Sequence, residues 1–359
     1  MSSTEDAPAV AQRTESARQR PGIRDVAARA GVSVSTVSRI LNGSYPPAPR
    51  TRDKVMRAVR ELDYVANPHA RALTGQDSGT IAIVVRELDA GFLLAVVQAI
   101  TAAVTDADRL CLIGTTGREA GREIDVLRQM NAQHVQAIIL TGTVVESDQY
   151  RADMTAFAQS LAQTGTRLVL CARPPIGPAV PAAVAEYDNE GGAYAATSHL
   201  LSRGHRRILQ LSGPDGSTMT IRRLAGYRKA LADLGGVADP DLEVGPTWDR
   251  GSAMTVMNRL LGAGKPEFTA VMAHTDQVAA GALQALREHG LSVPGDISVI
   301  GYDDSPLATD LGLTSVHIPA PELGRAAARL ALEPDGGEQR VMFGTHVVVR
   351  TSVAVAHHR

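Results

Sequence analysis

The sequence predicts an α/β chain built as two lobes of doubly wound parallel sheet, preceded by a small all-α unit. Three observations carry this expectation. From residue 81 onward, short apolar runs alternate with amphipathic helical stretches, and repeated β-α-β units join parallel strands through right-handed crossovers. Residues 23–62 instead show three short helical patterns and no strand pattern. The length of 359 residues exceeds one ordinary domain.

The strands expected are Ile81–Val85, Leu110–Ile113, Ala137–Leu140, Arg167–Cys171, Ile208–Ser212, Ala270–Ala273 and Ile297–Ile300, with helices such as Gly192–Ser202 and Gln277–His289 between them. This number of strands suits two sheets better than one; a single β/α barrel is the alternative. In the N-terminal unit, Ile23–Ala30 places Val26, Ala27 and Ala30 at helical spacing, and Gly31 ends it. Ser33 is suited to cap a second helix, Val34–Leu41, which turns Val37, Ile40 and Leu41 inward and stops at Asn42-Gly43. A third begins near Pro49, with Val55, Ala58, Val59 and Leu62 at i, i+3, i+4 and i+7. Asn67-Pro68 opens a short Ala/Leu helix that Gly75 stops. The domain expectation is therefore a disordered tail over 1–22, a helical headpiece over 23–66, a short helix and linker over 67–78, and the large domain over 79–359. Within the last, the first lobe is expected at about 79–184 plus 313–340, and the second at about 185–312 plus 341–359.

Hydrophobic residues make up 44% and aromatics only 3%, so the cores must be built from Ala, Val, Leu and Ile. The net charge of −2 hides an asymmetry: residues 23–75 hold nine Lys/Arg against four acids, leaving the rest net acidic. A basic module on an acidic body points to a polyanion partner at one end. Cys111 and Cys171 sit singly in apolar runs and read as reduced core residues. No signal-peptide core and no membrane-length apolar run occurs, which leads to the expectation of a soluble, cytoplasmic protein without a membrane partner. A phosphate-binding Gly-x-x-x-x-Gly-Lys loop, a nucleophile elbow, a His-Glu-x-x-His pair and a cysteine metal cluster are all missing, so neither an enzyme nor a metal or cofactor is expected. An extracytoplasmic solute-binding protein shares the two-lobed scaffold, but the basic headpiece argues against it.

Two short helices joined by a Gly-containing turn, with a basic third helix, match a helix-turn-helix pattern. The helix from Val34 is thin and shows small polar residues and Arg39 on its outer face. Such a face fits a major groove, where Arg pairs with guanine and Ser/Thr contact bases or phosphates. The same pattern also describes a plain three-helix bundle whose Ser and Arg face water.

The stretch from Ile23 to Gly43, IRDVAARAGVSVSTVSRILNG, resembles the signature of the LacI/GalR family of bacterial repressors, as does Asn67 to Leu73. The resemblance continues through Asp188–Gly192, Gly204–Ile208, Arg223–Tyr227, Asp296–Asp304 and Leu313–Val316, covering roughly residues 23 to 353. It implies a periplasmic-binding-protein-like sensor, a homodimer on double-stranded operator DNA, and a small-molecule effector: a sugar, a modified sugar or a nucleoside-like molecule. It implies base-edge contacts for Val34, Ser35 and Arg39, phosphate contacts for Ser33, Thr36 and Ser38, and a helix-end role for Asn42. Asn67, Ala70 and Leu73 match a hinge helix that lies in the minor groove, with Leu73 as the wedge between base steps. Thr74, where Lys or Arg is usual, and Ala48, where a Ser cap is usual, depart from the pattern. No Leu heptad follows Val355, so a dimer is expected rather than a coiled-coil tetramer.

In a doubly wound lobe, ligands sit beyond the carboxyl ends of the strands. Thr141, Arg173, Ser212, Thr275, Asp276 and Asp303 follow predicted strand ends, and Trp248 lies in a loop. Each such polar residue is equally describable as a strand-end cap or turn. The resemblance assigns Phe92, Trp248, Asp276 and Asp303 to the effector pocket or its support; Thr141, Arg173 and Thr275 are candidates from their strand-end positions, and Arg223 is a further candidate. It also shows departures: Ala172 stands where Asp is usual, Ile221 where Arg is usual, with Arg222 and Arg223 following, and Thr275 where Asn is usual. The expected mechanism is a two-state switch, in which the effector alters the angle between lobes and thereby the order of a hinge helix too short to be stable alone.

Overall fold

A computed structural model describes residues 21–41, 48–64, 79–88, 91–117, 121–178, 180–264, 266–333 and 339–356. The expected hinge helix and linker, most of the tail, and Asn42 lie outside these residues. The chain divides near residue 76 into two compact units.

The N-terminal unit holds α1 (Ile23–Ala30), α2 (Val34–Leu41) and α3 (Pro49–Glu61). The Gly22 backbone N–H donates to Asp25 Oδ2 at 2.7 Å, closing the start of α1. Gly31 ends it at φ 65°, a left-handed cap that a Cβ would strain. Val26, Ala27, Ala30, Val37, Val55 and Ala58 form the core, flanked by Ile40, Leu41, Val59 and Leu62. Arg29 pairs with Glu61 at 2.5 Å, fastening α1 to α3.

The large unit contains two six-stranded sheets. The first runs in the order β11-β5-β4-β3-β1-β2: β1 (Thr80–Val85), β2 (Leu110–Thr115), β3 (Ala137–Thr141), β4 (Arg167–Cys171), β5 (Ala183–Tyr187) and β11 (Arg340–Phe343). All of its neighbours are parallel. The second runs β12-β10-β9-β8-β6-β7: β6 (Ile208–Leu211), β7 (Glu243–Val244), β8 (Ala270–Ala273), β9 (Ser298–Asp303), β10 (Thr314–His317) and β12 (His346–Val348). Only the β10–β12 pair is antiparallel. The expectation of two doubly wound lobes holds, and the barrel alternative falls with it. Cys111 and Cys171 are free thiols.

The lobe limits lie a few residues from where the sequence put them. β5 extends to Tyr187 because it pairs with β11, from Val184 opposite Arg340 to Tyr187 opposite Phe343. β10 belongs to the second sheet, with Thr314 opposite Ile300. The chain therefore passes between lobes just after Tyr187, after His317 and after Phe343.

The helices are α4 (Phe92–Asp106), α5 (Arg122–Asn131) and α6 (Asp148–Thr164), then α7 (Asn189–Ser202), α8 (Thr218–Leu234), α9 (Arg250–Gly262), α10 (Asp276–Glu288), α11 (Pro306–Asp310) and α12 (Ala320–Leu332). Side-chain caps set two starts that periodicity alone misplaces. Asp188 accepts from the Gly191 N–H at 2.8 Å, opening α7 at Asn189 rather than Gly192. Thr275 accepts from the Val278 N–H at 3.2 Å, opening α10. α7 and α8 pack closely because Gly226 carries no side chain: a Cβ there would lie 2.1 Å from the Glu190 carbonyl oxygen.

Candidate nucleic-acid interface and ligand cleft

On the N-terminal unit, Ser33, Val34, Ser35 and Arg39 are exposed, while Thr36 and Ser38 are half-buried. Ser33 caps α2: its Oγ accepts from the Thr36 N–H at 3.1 Å and lies 2.8 Å from the hydroxyls of both Ser35 and Thr36. A capped helix start thus clusters three hydroxyls beside an exposed apolar Val34, whose 41% exposure serves no core. This surface suits backbone and base-edge contact with a polyanion. Asn42, Asn67, Ala70 and Leu73 fall outside the described residues.

In the large unit, the expected ligand residues separate into distinct groups. Arg223 on α8 and Asp303 at the end of β9 come together, 3.7 Å apart and almost fully buried. Arg223 Nε donates to Asn189 Oδ1 at 2.9 Å, one Nη to the His274 carbonyl and the other to Tyr187 Oη at 3.2 Å. Its guanidinium lies over the Tyr302 ring, 3.5 Å from the centroid. Burial opposes its charge, but Tyr187, Tyr302 and Asp303 together outweigh this and hold its pKa above the ordinary arginine value. Asp303 has φ 112°, a strained conformation for a residue with a side chain, and Ala172 at the end of β4 has φ 59°. Such strain concentrates at ligand sites. Phe92, at the start of α4, meets Tyr187 edge-on with centroids 5.7 Å apart. A continuous chain of contacts, Phe92–Tyr187–Arg223–Asp303, therefore runs from the first lobe to the second.

Further contacts cross the cleft in two places. Arg86, just after β1, stacks on Trp248 of the second lobe, 4.6 Å from the ring centroid. Thr143 Oγ1 lies 2.7 Å from Ser217 Oγ, and Val145 pairs with Ser217 in an isolated antiparallel bridge. The Thr218 N–H donates to the Val144 carbonyl at 3.0 Å, completing a latch at the start of α8.

Other expected ligand contacts are spent on the protein itself. Arg173 is 2% exposed. Its Nε donates to the Gly142 carbonyl at 2.8 Å, and its Nη atoms to both Glu123 carboxylate oxygens, Tyr150 Oη and the Thr141 carbonyl, each at 3.1 Å. All five guanidinium N–H groups are thereby engaged within the first lobe. Burial works against ionisation of Glu123, yet the adjoining Arg173 overcomes it and holds the carboxyl below its ordinary pKa. Thr141 donates its hydroxyl to the Val84 carbonyl at 3.1 Å. Asp276 accepts from Ser315 Oγ on one oxygen at 2.6 Å and from the Ser305 N–H and Oγ on the other, both at 2.8 Å. Thr275 serves as the cap of α10. Arg86, which directly follows β1, is among the residues that the strand-end rule points to, whereas Tyr187, Asn189 and His274 announce themselves only through the fold that surrounds Arg223.

Among the described residues, no cluster suited to a metal ion occurs and no helix is long and apolar enough to cross a membrane. Residues 22–67 match the model of bacterial regulatory proteins of the LacI family, and residues 197–353 that of the periplasmic-binding-protein-like domain. The HTH-type transcriptional regulator CelR of Thermobifida fusca is 34% identical over 346 residues, 93% of this chain and 99% of its own. The regulator GalS of Salmonella typhimurium is 35% identical over 92% of this chain and 94% of its own. Among solved structures, the CelR–cellobiose complex is 34% identical with a TM-score of 0.67, covering 93% of this chain and all of that one. The lac repressor dimer bound to operator and an anti-inducer is 26% identical with a TM-score of 0.76, covering 94% of this chain and all of that one. These relatives are transcriptional regulators rather than enzymes. With an exposed helix-turn-helix face, a two-lobed sensor behind it in sequence and relatives matching along nearly its whole length, the chain belongs to the LacI family of bacterial transcriptional regulators.

Proposed function

We propose that this regulator is a repressor that binds a palindromic operator as a homodimer and is controlled by a neutral sugar in the inter-lobe cleft. One observation carries the reading: the capped, solvent-facing α2 surface belongs to a chain aligned nearly end to end with helix-turn-helix regulators. In this reading Val34, Ser35 and Arg39 meet base edges, and Ser33, Thr36 and Ser38 hold phosphates. Asn42 supports the end of α2, while Asn67, Ala70 and Leu73 act in the minor groove. A two-fold dimer matches two half-sites related by the same symmetry, the arrangement that the solved lac repressor complex supports.

For the effector, Arg223 and Asp303 offer a charge-balanced pair, and Phe92 and Trp248 offer aromatic surface. Balanced charge with aromatic faces suits an uncharged polyhydroxylated ring. The CelR complex with cellobiose supports a sugar over a nucleoside. Thr141, Arg173, Thr275 and Asp276 shape the walls. Effector binding biases lobe closure, and closure biases the short hinge segment, whose isolated helix is marginal.

Fluorescence anisotropy of the full chain on labelled DNA from upstream of its own gene tests this, with cellobiose, D-galactose and cytidine added in turn. Release of the DNA by either sugar is the expected outcome. Release by cytidine alone moves the effector to the nucleoside class, and DNA binding indifferent to all three defeats the sugar reading.

A further inference from the structure

The single tryptophan stands outside the packing of the chain. Among the described residues, the Trp248 ring belongs to none of the four apolar clusters, and the residue is 37% exposed. A side chain with so much apolar surface ordinarily fills a core or meets a partner. The backbone beneath it is nevertheless fixed. The Thr247 N–H and hydroxyl both donate to the Ser212 carbonyl at 2.8 Å. The Trp248 N–H donates to Ser252 Oγ at 3.0 Å, and Asp249 accepts from the Ser252 N–H at 2.9 Å to open α9. A held loop thus presents an indole that no core uses.

A cation stands over that indole. The Arg86 guanidinium carbon lies 4.6 Å from the ring centroid. Arg86 follows β1 of the first sheet and Trp248 follows β7 of the second, so the face that Arg86 covers is the one turned across the cleft. The Arg86 backbone is also fixed: its carbonyl accepts from the Gly117 N–H, and the Val85 carbonyl from the Thr116 N–H, both at 2.9 Å. Only the long Arg86 side chain is left to move, and a guanidinium on a partly exposed indole is a weak, reversible contact.

We propose that Arg86 is an internal occupant of the effector's aromatic platform, which a sugar ring must displace in order to stack on Trp248. This rests on the reading of the cleft as a sugar site. A sugar lays its C–H face on an aromatic surface, and the guanidinium already holds the face turned to the cleft, so the two compete for one place. Arg86 then lowers the affinity for every ligand that stacks on the ring. A stack that only fastened the two lobes together would act in the opposite sense, because its loss would open the cleft and weaken binding.

The test is Arg86→Ala in the full chain. Acrylamide quenching of the single Trp248 without ligand, and calorimetric titration with cellobiose and D-galactose, are the measurements. The quenching constant of the variant is expected to rise, because the ring loses its cover. The apparent Kd of a sugar that binds the wild type is expected to fall about twofold to tenfold. Unchanged quenching shows that Arg86 does not cover the ring in solution and overturns the proposal; so does a sugar affinity that is unchanged or weaker in the variant. Sugar binding by the variant alone upholds it. If neither sugar binds either form, the sugar reading of the cleft fails for these probes. The quenching comparison then decides the occupancy of the ring by itself, with a rise upholding it and no rise rejecting it.

Discussion

Arg173 and Arg223 are both buried arginines at the cleft-facing ends of their lobes, and their surroundings give them opposite tasks. Arg173 spends every donor on Glu123, Tyr150 and two carbonyls, so it braces the first lobe. Replacing it with Met leaves the half-buried Glu123 carboxylate beside no cation, at a cost of up to about 3 kcal/mol. Urea denaturation should show that loss. His274 sets a pH dependence. Its pKa in the folded chain lies well below 6.5, so the unfolded chain binds a proton that the folded chain refuses. Stability is therefore complete above that ordinary value and falls as pH drops through about 6.5, by at most about 1.4 kcal/mol per unit for one proton. His205, also held low by burial, adds to the same slope. Melting temperatures between pH 7.5 and 5.5 should fall for the wild type and fall less for His274→Leu; parallel curves would remove His274 from this account. Position after a strand marks Arg173 in the sequence, but its partner Glu123 stands 50 residues earlier on another element, and no spacing rule reveals that pairing.

Helices and strands with strong periodicity were legible from the residues. The three headpiece helices and the central strands β1, β3, β4, β6 and β8 follow from apolar spacing and capping residues. The strands β5, β10, β11 and β12 were not. β5 reads Ala-Val-Ala-Glu-Tyr, and β11 and β12 are short, half-exposed edge strands, so neither length nor alternation distinguishes them. Their sheet membership is decided by pairing across the molecule. Gly226 illustrates an element whose sequence signal has a physical cause: it lets α7 and α8 approach. Gly226→Ala should cost about 1–3 kcal/mol by overpacking, measurable by chemical denaturation with effector-free protein. On α2, Arg39→Ala should reduce discrimination between operator variants by about 1–3 kcal/mol per altered base pair if it reads a base. Uniform weakening on every DNA sequence would assign it to a phosphate instead.

At the scale of the molecule, two lobes meet through three chain crossings and a latch of Thr143 with Ser217 and Thr218. The latch joins the lobes by hydrogen bonds worth about 0.5–1.5 kcal/mol each. Ser217→Ala should therefore shift the lobes toward the open arrangement and weaken sugar binding severalfold, read by Trp248 fluorescence. The two-lobed plan was legible as repeated β-α-β units, whereas closure at this latch depends on side chains 74 positions apart in the chain. In the proposed function the basic helical headpiece, and not the sensor, reads DNA. The most direct test is an electrophoretic mobility shift comparing the full chain with a form lacking residues 1–78, on DNA from upstream of its own gene. A shifted band is expected with the full chain and none with the truncated form at the same concentration. Equal binding by the truncated form would contradict it.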